Sequence, residues 1–254
     1  MTFSYFITAT NEHDPHARVS ATHCRLIQEA IRATPDMMKA ELYTPAQITT
    51  YHDDGPSPLL ALRLEFASIE ALESQVTAGG HLWRLAQSDD WLAPCASLVT
   101  HQAMLTRTFL PLARTTAEPT LCSYLVHYPG AAENFNDWLS YYVAHHPQIM
   151  LDYPLVRQVN VFTRVDWCES MPWTRVNYMQ RNMLTFPSSQ LLAEALTSPV
   201  RARMREDNGR FPAFSGREPT RIAATTAAPD EIPISRPSST ASRRAITSAS
   251  SLET

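Results

Sequence analysis

Glycine is scarce in this chain: six in 254 residues, with no GxGxxG or GxxxxGK[ST] run. A phosphate-cradling loop needs bare glycine backbone so that N–H groups can close on the anion, and its absence excludes nucleotide binding of that kind. Lysine is scarcer still, with Lys39 alone, and the formal net charge is −4. No nucleic-acid surface is expected, because neutralising phosphates takes clustered cations. The four cysteines, Cys24, Cys95, Cys122 and Cys168, form no CxxC pair and no disulfide-like spacing, so a reducing cytoplasm is the expected compartment. No apolar run reaches the about eighteen residues of a membrane span. The first residues carry no basic region ahead of an apolar stretch, so no signal peptide is expected. A GxSxG nucleophile elbow is absent. His13, His16, His23 and His52 are scattered without a partner carboxylate on a helix, and no metal site is expected.

What is present is a soluble composition, 44% hydrophobic and 18% charged, arranged in an alternation of strands and helices. Aromatic and β-branched residues predict a strand over Phe3–Ala9. The spacing of Val19, Leu26, Ile27, Ala30 and Ile31 predicts a helix from about Ala17 to Ala33, stopped by Pro35. Strands follow over Met37–Thr44 and Leu59–Phe66, then a helix from Ile69 to about Ala78 with Ser68 as N-cap, then a strand over Ala96–Phe109. The order βαββαβ is the ferredoxin-like arrangement.

The second half repeats the first. A shift of 119 residues places Ser4-Tyr5 on Ser123-Tyr124 and Pro35 on Pro154, and a shift of 120 places Phe66-Ala67-Ser68 on Phe186-Pro187-Ser188. The second copy is expected to run as strand Leu121–Tyr128, a helix from Glu133 or Asn134 to about Asp152, strands Val156–Val165 and Tyr178–Phe186, a helix capped by Ser188 or Ser189, and a weak strand at Thr220–Ala224. The fold expected is therefore α+β: two ferredoxin-like repeats, residues 1–115 and 119–224, packed sheet to sheet as an intrachain α/β barrel. Residues 225–254, rich in Ala, Ser, Thr and Pro, read as a disordered or extended tail.

Chemistry concentrates in the second copy. Trp138, Tyr141, Tyr142, His145 and Ile149 recur three or four residues apart, which puts an aromatic stripe with an imidazole on one helix face. The adjacent His146 and the helix-breaking Pro147 place both imidazoles at a helix end, where either can move a proton near pH 7. A lone histidine in such a stripe is more often a core residue. Here, however, the first copy has Leu26 and Ile27 at the matching positions, so the fold does not need imidazoles there. A second group, Arg164, Asp166 and Trp167 with Tyr178 and Asn182, follows strand alternation, so that Arg164 and Asp166 share one face and Tyr178 and Asn182 another. These groups fit either a ligand or bonds between the two halves.

The stretches Ser123–Gly130, Trp138–Pro147, Met179–Asn182 and Ser198–Val200, with an aromatic residue four positions ahead of His-x-Pro (Tyr141, His145-His146-Pro147), resemble an EthD-type domain of the dimeric α/β-barrel superfamily. The resemblance covers roughly residues 121–215, and the family usually has Trp where this chain has Tyr141. It implies a barrel that binds small hydrophobic or aromatic metabolites between sheet and helices. Relatives include muconolactone-type isomerases, cofactor-free monooxygenases, dehydratases and haem-handling proteins.

The expected activity is an isomerase or lyase without cofactor, acting on a small aromatic or lactone-like catabolite. In that expectation His145 is the general acid or base, and His146 is the second proton carrier or the residue that orients the substrate. Arg164 neutralises an enolate, phenolate or carboxylate, Tyr178 and Asn182 bond a substrate oxygen, and Trp138, Tyr141, Tyr142, Asp166 and Trp167 line the pocket. The alternatives are a non-catalytic metabolite-binding or accessory protein and a cofactor-free monooxygenase. The partners expected are the small metabolite and a second copy of the chain.

Overall fold

The structure is a computed structural model and describes residues 1–14, 16–46, 58–88, 91–92, 96–112, 120–215 and 220–227. The first half runs β1 (Thr2–Thr10), α1 (Ala21–Arg32), β2 (Met37–Pro45), β3 (Leu60–Phe66), α2 (Ile69–Val76), α3 (His81–Ala86) and β4 (Leu98–Leu110). The second runs β5 (Thr120–Tyr128), α4 (Phe135–Met150), β6 (Gln158–Arg164), β7 (Thr174–Arg175), β8 (Gln180–Phe186), α5 (Ser189–Thr197), α6 (Pro199–Asn208) and β9 (Thr220–Ala227). The mixed α+β architecture is the one the sequence predicts, with α3, α6 and β7 as additions. Among the described helices none is long and apolar enough to cross a membrane.

The sheet order is β1-β3-β2-β9-β5-β8-β6-β4-β7, and β1 also pairs with β4. Eight strands therefore close into an antiparallel ring. The halves meet edge to edge, through β4 with β6 and β2 with β9, so each covers the other's open edges. Register repeats between the halves: Tyr5 faces Leu64 and Ile7 faces Leu62, as Tyr124 faces Leu184 and Val126 faces Asn182. Even the strained positions repeat. Asp36 (φ 57°) and Leu155 (φ 59°), 119 residues apart, each follow a proline at the turn into the next strand.

Strand alternation sorts side chains into three cores. Phe6, Tyr43, Ala61, Met104, Phe162 and Met183 fill the barrel interior. The outward-facing residues of each half pack beneath its own helices. Polar groups accompany the interior core: Arg63 donates from Nε to Glu41 Oε2 at 2.6 Å, and Lys39 bonds the other Glu41 oxygen. Burial alone would raise the Glu41 carboxyl, but these two cations hold it well below the usual carboxylate range.

Several expected boundaries move. Helix α1 begins at Ala21, because Ser20 is the N-cap and accepts from His23 N–H. Pro147 does not end α4: it lies buried inside the helix, which continues to Met150. The missing N–H removes one rung only, and packing holds the helix together. Strand β6 stops at Arg164, so Asp166 lies beyond the strand and does not share its face. Thr225–Ala227, assigned to the tail from sequence, are the end of β9 and pair with Thr120, Leu121 and Cys122. The remainder of the expected tail, 228–254, lies outside the described residues.

Candidate functional site

Helix α4 presents every fourth residue to the sheet: Trp138, Tyr142, His146 and Met150 are all buried. Spacing of four keeps one slowly drifting stripe against the outer face of β5 and β8. Trp138 stacks on Tyr142 and is closed in by Tyr128, Phe211 and Phe214, a packed aromatic block rather than a pocket wall. Below it the packing opens. A cavity of about 330 Å³ lies between the sheet, α4, α5 and α6. Its apolar wall includes Tyr124, Tyr128, Met150, Tyr153, Phe186 and Met204, and its polar groups are His146, Asn182, Arg201, Arg205 and Asn208. The size suits a small organic molecule.

His146 is the imidazole that reaches this cavity. Its Nδ1 lies 2.6 Å from Asp207 Oδ2, with both side chains buried. Asp207 belongs to the inward face of α6 with Val200 and Met204. Its second oxygen, Oδ1, accepts from the Tyr141 hydroxyl at 3.1 Å. The last turn of a helix disfavours a carboxylate electrostatically, and burial adds to the penalty. The His146 ring and the Tyr141 hydroxyl outweigh both and keep the Asp207 carboxyl below its ordinary range. A carboxylate on Nδ1 requires the proton there, which makes Nε2 the lone-pair nitrogen of a ring that lines the cavity, with no hydrogen-bond partner among the described residues. Burial lowers the His146 pKa, the Arg201 charge adds to this, and Asp207 opposes without reversing it, so the ring is neutral near pH 7.

Asn182, on β8, donates from Nδ2 to the Tyr142 hydroxyl at 2.6 Å. Its Oδ1 is buried without a partner, in a side chain that lines the cavity. Burial holds the Tyr142 hydroxyl well above pH 10, so it is a neutral prop for the amide.

The residues singled out from sequence fall into separate places. His146 and Asn182 line the crevice, Trp138 and Tyr142 belong to the aromatic block beside it, and Tyr141 lies behind Asp207. His145 does not face the sheet: it is exposed, its ring stacks on Tyr141 at 4.3 Å, and its Nδ1 lies 2.8 Å from the Tyr141 carbonyl. Neighbouring helical residues are about 100° apart, so the expected stripe and the observed one differ by a small rotation of α4. Arg164 is exposed with its guanidinium over Phe135 at 4.6 Å, and Asp166 is exposed. Trp167 belongs to the first half's core, edge-on to Tyr5 and His101. Tyr178 lies against His127 and Arg181, two side chains that alternation turns into the barrel. Sequence reasoning missed Asp207, Arg201 and Arg205, all on α6. The signal for that helix was present in Ser198-Pro199, a cap followed by proline at the first helical position, with apolar residues at 200 and 204. Among the described residues no three His, Cys, Asp or Glu side chains gather as metal ligands.

No protein-family model matches the chain, and the comparison with curated proteins gives no match. Solved structures do resemble it. An anthrone oxidase-like protein superposes with TM-score 0.56 at 11% identity over 89% of this chain and 90% of its own. A putative monooxygenase from Fusobacterium nucleatum gives TM-score 0.52 at 6% identity over 89% and 92%. An EthD family protein from Bacillus halodurans matches 41% of this chain and 95% of its own at 13% identity, with a TM-score of 0.33 that is too low to bear on kinship. The first two likenesses establish the fold: this is a ferredoxin-like α/β barrel with both halves in one chain.

Proposed function

We propose that the crevice of the second half binds a small aromatic or lactone-like molecule and that His146, held by Asp207, moves a proton on it in an isomerase or lyase reaction needing no organic cofactor. The single observation that carries this reading is the 2.6 Å bond between His146 Nδ1 and Asp207, which leaves Nε2 as a free base at the cavity. In the proposed cycle Nε2 takes a proton from a substrate carbon or hydroxyl, and Asp207 stabilises the imidazolium that forms. Return of the proton to another carbon completes an isomerisation, and its delivery to a leaving oxygen completes an elimination. Asn182 orients the substrate through its amide, and Tyr142 fixes the amide. His145, Arg164 and Tyr178 have no part in this cycle, because their side chains are not at the crevice.

The test is to incubate the protein in D₂O with a panel of aromatic-degradation intermediates and follow them by NMR and mass. Deuterium incorporation or isomerisation that disappears in His146→Gln is the expected result. Saturable binding with the ligand returned unchanged would support the accessory-protein reading instead. Oxygen uptake would move the assignment to a cofactor-free oxygenase.

A further inference from the structure

Two arginines line the cavity without a carboxylate bonded to either among the described residues. Helix α6 has arginines at 201, 203 and 205, and Arg210 follows just beyond its C-cap. Two are neutralised: Arg203 bonds Asp152 at 2.7 Å and Arg210 bonds Glu206 at 2.6 Å. Arg201 and Arg205, one helical turn apart, are the two that line the cavity, and neither has a carboxylate partner among the described residues. Among the described residues no Asp or Glu lines the cavity. Like charges at this spacing repel, and an anion seated between them would relieve the repulsion. Asn182 also lines the cavity, and its buried Oδ1 is an acceptor without a donor. The walls between these polar points are aromatic and thioether side chains, Tyr124, Tyr153, Phe186 and Met150 among them.

We propose that the ligand of this crevice is an aromatic or lactone carboxylic acid, its carboxylate held by Arg201 and Arg205 and a ring hydroxyl or N–H donated to Asn182 Oδ1. This rests on the reading of the crevice as a small-molecule site, but not on the proton-transfer step. Guanidinium groups match a carboxylate by paired charge-assisted hydrogen bonds, which a neutral amide of the same shape cannot replace. The cations select the acidic members of an aromatic panel, while the apolar wall supplies the contact area.

The experiment is calorimetric titration of the full chain with 4-hydroxybenzoate and, separately, with 4-hydroxybenzamide. The acid is expected to bind about tenfold to a hundredfold more tightly than the amide. That preference should vanish in the Arg201→Gln/Arg205→Gln double variant and persist in Arg203→Gln, a cation already paired elsewhere. Equal binding of acid and amide, a preference unchanged in the double variant, or no binding of the acid at millimolar concentration would each overturn the proposal. His146→Gln separates the two readings: it should keep the acid preference even as it lowers turnover. Loss of turnover with the preference intact therefore speaks to the base, and loss of the preference in the arginine double variant speaks to the anion site.

Discussion

The two halves share a backbone and differ in what lies between sheet and helices. In the first, Tyr5 is covered by Trp167, and Trp91, Leu92 and Met171 pack into the same core. In the second, the equivalent Tyr124 lines an open cavity. The 119- and 120-residue shifts set His146 on Ile27, Tyr128 on Ala9 and Asn182 on Leu62, so polar or aromatic groups replace aliphatic ones around one point. Ile27 is fully buried and Leu26 is 56% exposed, which mirrors buried His146 and exposed His145. The fold thus forms with a dry apolar seam at this place. The imidazole, amide and carboxylate of the second half cost desolvation that a purely structural seam would not incur.

A second contrast lies inside the barrel. Arg63, from the first half, has Glu41, with Glu65 at 3.5 Å and Ser4 nearby. Arg181, from the second, is equally buried but has one long bond, 3.4 Å to Gln102, and its Nε and Nη1 have no partner. Phe6 and Tyr178 lie against its guanidinium, each at 4.7 Å. Burial pushes its pKa down to about 10, whereas the carboxylates around Arg63 push that group up.

Each contrast can be broken by substitution. The largest effect is expected from His146→Gln, which should lower turnover by about 10² to 10⁴, while His145→Ala should change it by less than about tenfold. Reversal of that ranking would transfer the proton to the exposed ring. Next in size, Arg63→Met should destabilise the protein by roughly 3 kcal/mol, because Glu41 loses its buried partner, whereas Arg181→Met should be neutral or stabilising. Chemical denaturation of the two variants measures the difference. Ile27→His, which imports the imidazole into the half that lacks its carboxylate, should cost about 2 kcal/mol through an unsatisfied polar group and gain no activity.

The smallest expected effect is on acid stability. Burial lowers the pKa of His127 well below the ordinary imidazole value, with Arg181 adding to the shift, and burial also lowers His101 and His146. Below about pH 6.5 the unfolded chain binds protons that the folded chain refuses, so stability is full above that pH and falls as the solution is acidified. The melting temperature should drop between pH 7 and pH 5, and His127→Phe should flatten that slope. A slope unaffected by the substitution would show that other groups carry the acid sensitivity.

Local pattern placed most strands within two residues of their observed ends, since alternation, caps such as Ser68 and Ser188, and stops at Pro35 and Pro154 are all short-range signals. The site was legible only in part for a related reason. Trp138, Tyr142, His146 and Asn182 come from elements whose pattern is strong, but the choice between His145 and His146 depends on a rotation of α4 that no local signal fixes. Asp207 completes the pair from 61 residues away on a helix that covers α4. Trp167 looked like a pocket residue from its neighbours in sequence, yet the chain after β6 crosses to the first half and buries it there.

By itself the sequence determined the duplicated βαββαβ order, the closed apolar faces and the half that carries the polar groups, because these follow from periodicity and from comparing one copy with the other. Tertiary structure alone decided which imidazole meets the cavity, which carboxylate holds it and which arginines stand at its wall. Those are relations between side chains far apart in the chain, set by how helices rotate and pack against a sheet, and packing is a property of the folded whole.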